Sequence, residues 1–358
     1  MPVCVGILYR DFGRRDGDYP IFCFNFAEAL SRRDARGCPL RLKCIFFFTD
    51  HNLAYMSGSN SKAIMAASAA VLSWSTVAAA FKTALRYFSH FEMLVVAALT
   101  ATLIFFIASL FNGSMARIRS LSRRDWLQLL MLGIFSPTLY YLVLFAAYDK
   151  LPAQVAQPIN YCWPIFLVVL LAVVQHKPVR PRLYIGMAAS LAGVAVISLG
   201  AGGISGESLS VVGVILAFLS AVLWAVYWIL NDRMSASIPE SLKLFTSFLF
   251  ASVILCGATL FVPCSFDSVP GVLASCYVGA FEMGIPFLFF SMALRYAVNV
   301  AIVNQMCYIA PFLSLFFISV IVGERIMPLT YLGLVLIIGG VVYNQYLAYR
   351  PGRKLGKA

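Results

Sequence analysis

The sequence predicts an all-α integral membrane protein, with ten transmembrane helices arranged as two inverted five-helix repeats. Three observations carry this. The chain is 61% hydrophobic and 12% charged, with a mean hydropathy of +0.86. A soluble domain carries about 25% charged residues, and so little charge cannot coat a water-facing surface, so lipid must solvate most of the chain. From Ala63 onward, apolar segments follow one another with short polar joints, and the chain aligns with itself at a single offset of 147 residues.

The apolar segments lie near 63–85, 90–111, 126–148, 152–175, 182–200, 211–230, 242–262, 269–294, 299–322 and 329–349. Each is close to the ~20 residues needed to cross the hydrocarbon. They lack the alternation of barrel strands, and helices satisfy their own backbone groups in lipid. With the N-terminus inside, the cytoplasmic joints from residue 56 hold 15 Lys and Arg, against 4 on the outer side (Lys82, Arg86, Lys150 and Arg325). That asymmetry is what the positive-inside rule requires. It places both termini in the cytoplasm; the expected membrane is a bacterial inner (plasma) membrane.

Residues 1–62 read differently. The first 55 hold eight Arg and Lys and no stretch long enough to span. The expectation is an N-terminal extension that is disordered, or that precedes a true start near Met56; a folded accessory domain is the alternative. The two repeats occupy 63–205 and 206–349, and 350–358 form a basic cytoplasmic tail. Nucleic-acid binding is excluded despite the net charge of +12, because the basic residues sit in short inter-helix joints rather than on one water-exposed face.

At the 147-residue offset Tyr161 falls on Tyr308, Pro164 on Pro311, Gly186 on Gly333 and Gly193 on Gly340. Five helices per repeat is an odd number, so the second half enters the membrane upside down. Inverted repeats are typical of alternating-access transporters, with the substrate held near the midplane. Pro164 and Pro311 occupy matching mid-span positions and serve as hinge candidates, since each removes a backbone hydrogen bond; Pro137 and Pro286 add kinks in the third and eighth helices. The glycine steps in the fifth and tenth helices suit tight packing, as a scaffold or a homodimer contact.

Polar and aromatic residues gather in these helices. The substrate-binding candidates are Trp74, Tyr140, Asn160, Tyr161, Trp163, Trp224, Tyr227, Asn304 and Tyr308. Amides and hydroxyls deep in lipid are costly unless they face one another or a wet cavity. Glu282 lies midway along the eighth span with no charged residue within ten positions on either side. It is the coupling candidate, for a proton or a substrate ammonium; a structural carboxylate bonded to Lys82 or to nearby hydroxyls is the competing reading.

Several functions are excluded. No H-x-x-x-H, G-x-S-x-G or Walker lysine occurs, and the nine cysteines have no metal-ligand spacing. The reading is therefore not an enzyme, with no cofactor and no metal. A sugar-phosphate importer would need basic residues at mid-span, where none lie.

VLSWSTVAAAFK in the first helix, INYCWP in the fourth and YIAPFLSLFFISVIVGERI in the ninth resemble the drug/metabolite transporter superfamily, EamA type. The N-Y-x-W-P of helix four is most similar to aromatic amino acid exporters of the YddG type. The resemblance covers residues 63–349. It implies a central cavity and ATP-independent export of amino acids or related metabolites, with Trp74, Asn160, Tyr161, Trp163, Tyr308 and Pro311 at matching positions. FEMGIPFLFFSMALRY in helix eight departs from the exporter pattern. The expectation is a secondary transporter of a small-molecule substrate within the bilayer; a membrane-embedded enzyme or an importer of the same fold is the alternative.

Overall fold

A computed structural model describes residues 50–174, 181–205, 209–234, 238–297 and 300–349. The expected extension up to residue 49, the basic residues Lys177 and Arg180, and the tail at 350–358 lie outside the described residues. Every described element is a helix. Among the described residues ten helices are long and apolar enough to span: α1 Ser61–Ala84, α2 His90–Phe111, α3 Arg123–Lys150, α4 Ala153–Val174, α5 Leu183–Gly200, α6 Val211–Asp232, α7 Glu240–Ala258, α8 Val269–Tyr296, α9 Ile302–Val322 and α10 Pro328–Leu347.

Local chemistry sets where several of them begin. Ser89 and Glu92 form a capping box at α2, and Ser122 and Asp125 form another at α3. The hydroxyls of Ser210 and Ser268 accept from Gly213 and Gly271 N–H at the starts of α6 and α8. Each cap satisfies amides that have no partner within their own helix.

The outward surface is apolar. Leu72, Leu103, Ile185, Leu199, Val253, Leu273, Phe316 and Val335 are all exposed, on seven different spans. A contiguous belt of this kind is stable only against lipid.

The helices pair in a regular pattern. α1 packs on α8 and α9, while α6 packs on α3 and α4. α2 packs on α7 and α8, and α7 packs in turn on α3; α5 packs on α10. Exchanging each helix for the one five places along maps these pairings onto themselves. The α5–α10 contact is closest. A Cβ at Gly340 would lie 2.2 Å from the Gly186 carbonyl oxygen, and one at Gly193 would lie 2.4 Å from that of Gly333. Ser190 Oγ donates to the Ile337 carbonyl at 2.9 Å between them. The glycine faces of α5 and α10 thus meet within one chain. Small residues permit this approach where no hydrophobic effect drives helices together.

Candidate functional site

Four helices are broken near mid-span. α3 opens into a wide turn at Ile134–Leu139, where Ser136 is extended (φ −150°, ψ 123°) ahead of Pro137. Thr138 Oγ1 donates to the Gly133 carbonyl at 2.8 Å, restoring one bond of the interrupted ladder. α8 opens likewise at Gly279–Gly284, two residues before Pro286. α4 divides into Ala153–Asn160 and Trp163–Val174, with Pro164 at the second position of the new segment. α9 tightens at Cys307–Ile309 and resumes at Ala310, one residue before Pro311. All four prolines read from the sequence as kinks therefore stand at real interruptions, as expected of a residue that cannot donate its backbone N–H.

Glu282 sits in the wide turn of α8 and is half-buried. Its Oε1 accepts from the Tyr141 hydroxyl at 3.2 Å. Its backbone carbonyl, within the turn, accepts from Trp74 Nε1 on α1 at 3.3 Å. Tyr140, Tyr148 and Tyr161 lie within electrostatic reach of the carboxyl. Of these tyrosines only Tyr141 is bonded to the acid. Lys82, weighed as its counter-ion, instead lies within reach of Glu324 and Asp149.

Beside the acid is an aromatic wall. Tyr140 stacks on Trp224 with centroids 4.5 Å apart, and Trp224 stacks on Tyr227 at 5.1 Å. Phe287 meets both Trp224 and Trp74 edge-on, at 6.3 and 6.0 Å. Stacked and edge-to-face geometries are those favoured by the ring quadrupole. The Tyr140 hydroxyl donates to Asn160 Oδ1 at 3.2 Å, and Asn160 Nδ2 donates to Ser220 Oγ at 2.9 Å. This chain links α3, α4 and α6.

Six candidates, Trp74, Tyr140, Asn160, Trp224, Tyr227 and Glu282, thus belong to one bonded or stacked group. Tyr161, half-buried, lies within electrostatic reach of both Glu282 and Cys307. Tyr308 is placed otherwise, accepting from Gln345 Nε2 on α10. Trp163 is 2% exposed and packs in the apolar core that also holds Tyr140, Trp224 and Tyr227. Asn304 is 4% exposed, and neither polar atom of its amide has a hydrogen-bond partner. Its counterpart at the 147-residue offset, Gln157, is 5% exposed with an unpartnered Oε1.

Phe287 and Ser220 were not singled out in the sequence. Phe287 lies five residues beyond Glu282, and only its place on a kinked apolar helix hinted at a role. Among the described residues no cluster of His, Cys, Asp and Glu side chains could hold a metal ion.

The model of the EamA-like transporter family matches residues 61–199 and again 211–344, which span α1–α5 and α6–α10. The chain is 27% identical over 219 residues to the aromatic amino acid exporter YddG of Ancylobacter novellus; the match covers 61% of this chain and 75% of that one. A solved structure described only as a crystal structure of a protein is similar in fold, with a TM-score of 0.58 and 23% identity, covering 80% of this chain and 98% of the other.

Proposed function

The chain belongs to the EamA-like transporter family, and on that premise we propose that it is a secondary transporter exporting amino acids, aromatic ones included, or related small metabolites by alternating access. The observation that carries the reading is Glu282, a half-buried carboxyl midway along a span, bonded to Tyr141 and faced by an aromatic wall. An acid at that depth is retained for function by default. The wall suits an aromatic or apolar body, and the acid suits an ammonium or a coupling proton. The exporter relative favours aromatic amino acids as the first substrates to test.

The two halves, 63–205 and 206–349, act as inverted repeats, with Pro164 and Pro311 as hinges. This rests on the double family match, the odd number of helices per half and the packing pattern that repeats after five helices. Trp74, Tyr140, Asn160, Tyr161, Trp224 and Tyr227 line the substrate site; Asn304, Tyr308 and Trp163 join it in other conformers. The chain lies in a bacterial inner membrane with both termini cytoplasmic, following the charge asymmetry of its joints. No catalysis is assigned to it.

The test is flux of labelled phenylalanine, tyrosine and tryptophan in vesicles reconstituted with the full chain. Wild type should carry at least one of them along a pH gradient, and Glu282→Gln should fall to the level of empty vesicles while remaining folded. Normal gradient-driven flux in the variant would remove Glu282 from coupling. Absence of flux for all three in wild type would remove the aromatic substrates.

A further inference from the structure

α9 ends at Gly323, whose φ of +79° is a left-handed conformation that glycine adopts without strain. This turn brings Glu324 against the start of α4. Its Oε1 accepts from the Ala153 N–H at 3.0 Å and its Oε2 from the Gln154 N–H at 3.4 Å. A carboxylate from the second half therefore caps a helix of the first half, 171 residues away in sequence. Gln154, 5% exposed, returns the contact. Its Nε2 donates to the Arg325 carbonyl at 2.9 Å, and its Oε1 accepts from Met327 N–H at 3.3 Å and from Thr330 Oγ1 at 2.9 Å. Close by, Arg86 at the end of α1 donates to the Val322 carbonyl at 3.3 Å.

These bonds all lie on the face that carries the α3–α4 turn, and they join the outer ends of α1, α4, α9 and α10. The first part of α4 packs on α1 and on the second part of α9. At the opposite face the sequence cannot repeat the arrangement. The residue 147 positions before Glu324 is Lys177, and the one 147 positions after Gln154 is Ala301. An ammonium has no acceptor for helix N-terminal amides, and alanine has no polar side-chain atom.

We propose that Glu324 and Gln154 form a latch that holds the two halves together at the face of the α3–α4 turn, making the two mouths of the molecule unequal in their closure. A carboxylate at a helix N-terminus gains both charge-assisted hydrogen bonds and the favourable end of the helix dipole. Among the described residues, Asn112 and Ser114 bond to Ser241 across the halves at the opposite face through neutral groups only, so the charge-assisted latch leaves the substrate-free protein closed on its own side. The inference uses the transporter reading only for its meaning; the bonds and their effect on distance do not depend on which substrate is carried.

The experiment is pulsed electron–electron resonance on the full chain in nanodiscs. Nitroxide labels are attached at Lys150→Cys and Arg325→Cys, both exposed, in a background with the native cysteines replaced. The starting protein should show one dominant short distance. Glu324→Ala should raise the ratio of long to short distances about tenfold, Gln154→Ala should shift it in the same direction, and Glu324→Gln, which keeps an acceptor oxygen without the charge, should shift it less. Unchanged distances in both alanine variants would overturn the latch. If Glu324→Ala does not fold, an unchanged distribution in Gln154→Ala overturns it alone. Failure of amino acid flux in the vesicle assay would leave this result untouched.

Discussion

Replacing Gly340 by alanine puts a methyl carbon 2.2 Å from the Gly186 carbonyl oxygen, 2.5 Å from Ser190 Oγ and 3.1 Å from Ser190 N. Ordinary van der Waals contact begins at 3.4 Å, so the nearest pair is too close by about 1.2 Å. Two of the three obstructing atoms belong to backbone, which cannot rotate aside. α5 and α10 must therefore separate along their contact, weakening the bond from Ser190 Oγ to the Ile337 carbonyl and loosening the matching approach of Gly193 to Gly333. Overpacking of this kind costs roughly 1–3 kcal/mol, against a helix-propensity gain of at most about 1 kcal/mol for Gly→Ala. The net loss is up to about 2 kcal/mol, the overlap placing it toward that upper end, or a fall of up to roughly 8 °C in melting temperature. Gly339, the adjacent residue, supplies the control: an added Cβ there meets nothing within 4 Å, so Gly339→Ala makes the same propensity gain without the clash. Thermal unfolding of purified protein in one detergent, with Gly339→Ala equal to or above wild type and Gly340→Ala below both, is the expected order. Equal melting temperatures for the two variants would show that α5 and α10 do not depend on this close approach.

Other consequences of the geometry can be measured alongside. Trp224→Ala removes the ring stacked between Tyr140 and Tyr227; it should raise the KM for an aromatic substrate by roughly 5- to 100-fold, the effect of losing about 1–3 kcal/mol of stacking and contact, and an unchanged KM would place the substrate elsewhere. Asn304→Leu removes two buried amide atoms that lack partners, so the substrate-free protein should melt higher by the equivalent of about 1–3 kcal/mol while flux falls. A lower melting temperature would mean that Asn304 stabilises the resting fold. The loss of driven flux in Glu282→Gln and the longer label distances in Glu324→Ala complete the set.

Much of this was legible in the sequence because lipid leaves few choices. Spans must be about 20 apolar residues long and helical, so the ten segments and their ends are recovered to within a few residues. Prolines interrupt helices by covalent necessity, so Pro137, Pro164, Pro286 and Pro311 marked the breaks. The group around Glu282 was legible in part. Tyr140, Asn160, Trp224 and Trp74 are conspicuous because polar or bulky groups at mid-span need a reason to be there. Trp163 is conspicuous for the same reason, although a tryptophan in a membrane helix is equally at home in the core, where this one packs. Lipid-facing, core-facing and cavity-facing positions are all apolar, so periodicity cannot tell them apart. The partner of Glu282 and the cap made by Glu324 depend on contacts 141 and 171 residues apart in sequence, and no local pattern encodes them. Glu324 lies at a span end, where snorkelling is the common fate of charged residues, so nothing local singles it out.

The wide turns and breaks of α3, α4, α8 and α9 also bear on how a ligand could be felt. An unbroken helix is stiff along its whole length, and bending it would disturb its neighbours at both membrane surfaces. A helix interrupted at its middle concentrates compliance there, next to Glu282 and Tyr161. A solute bound at that depth would press on the joints themselves, so no long lever of packed side chains is needed to carry its presence to the ends of the rods.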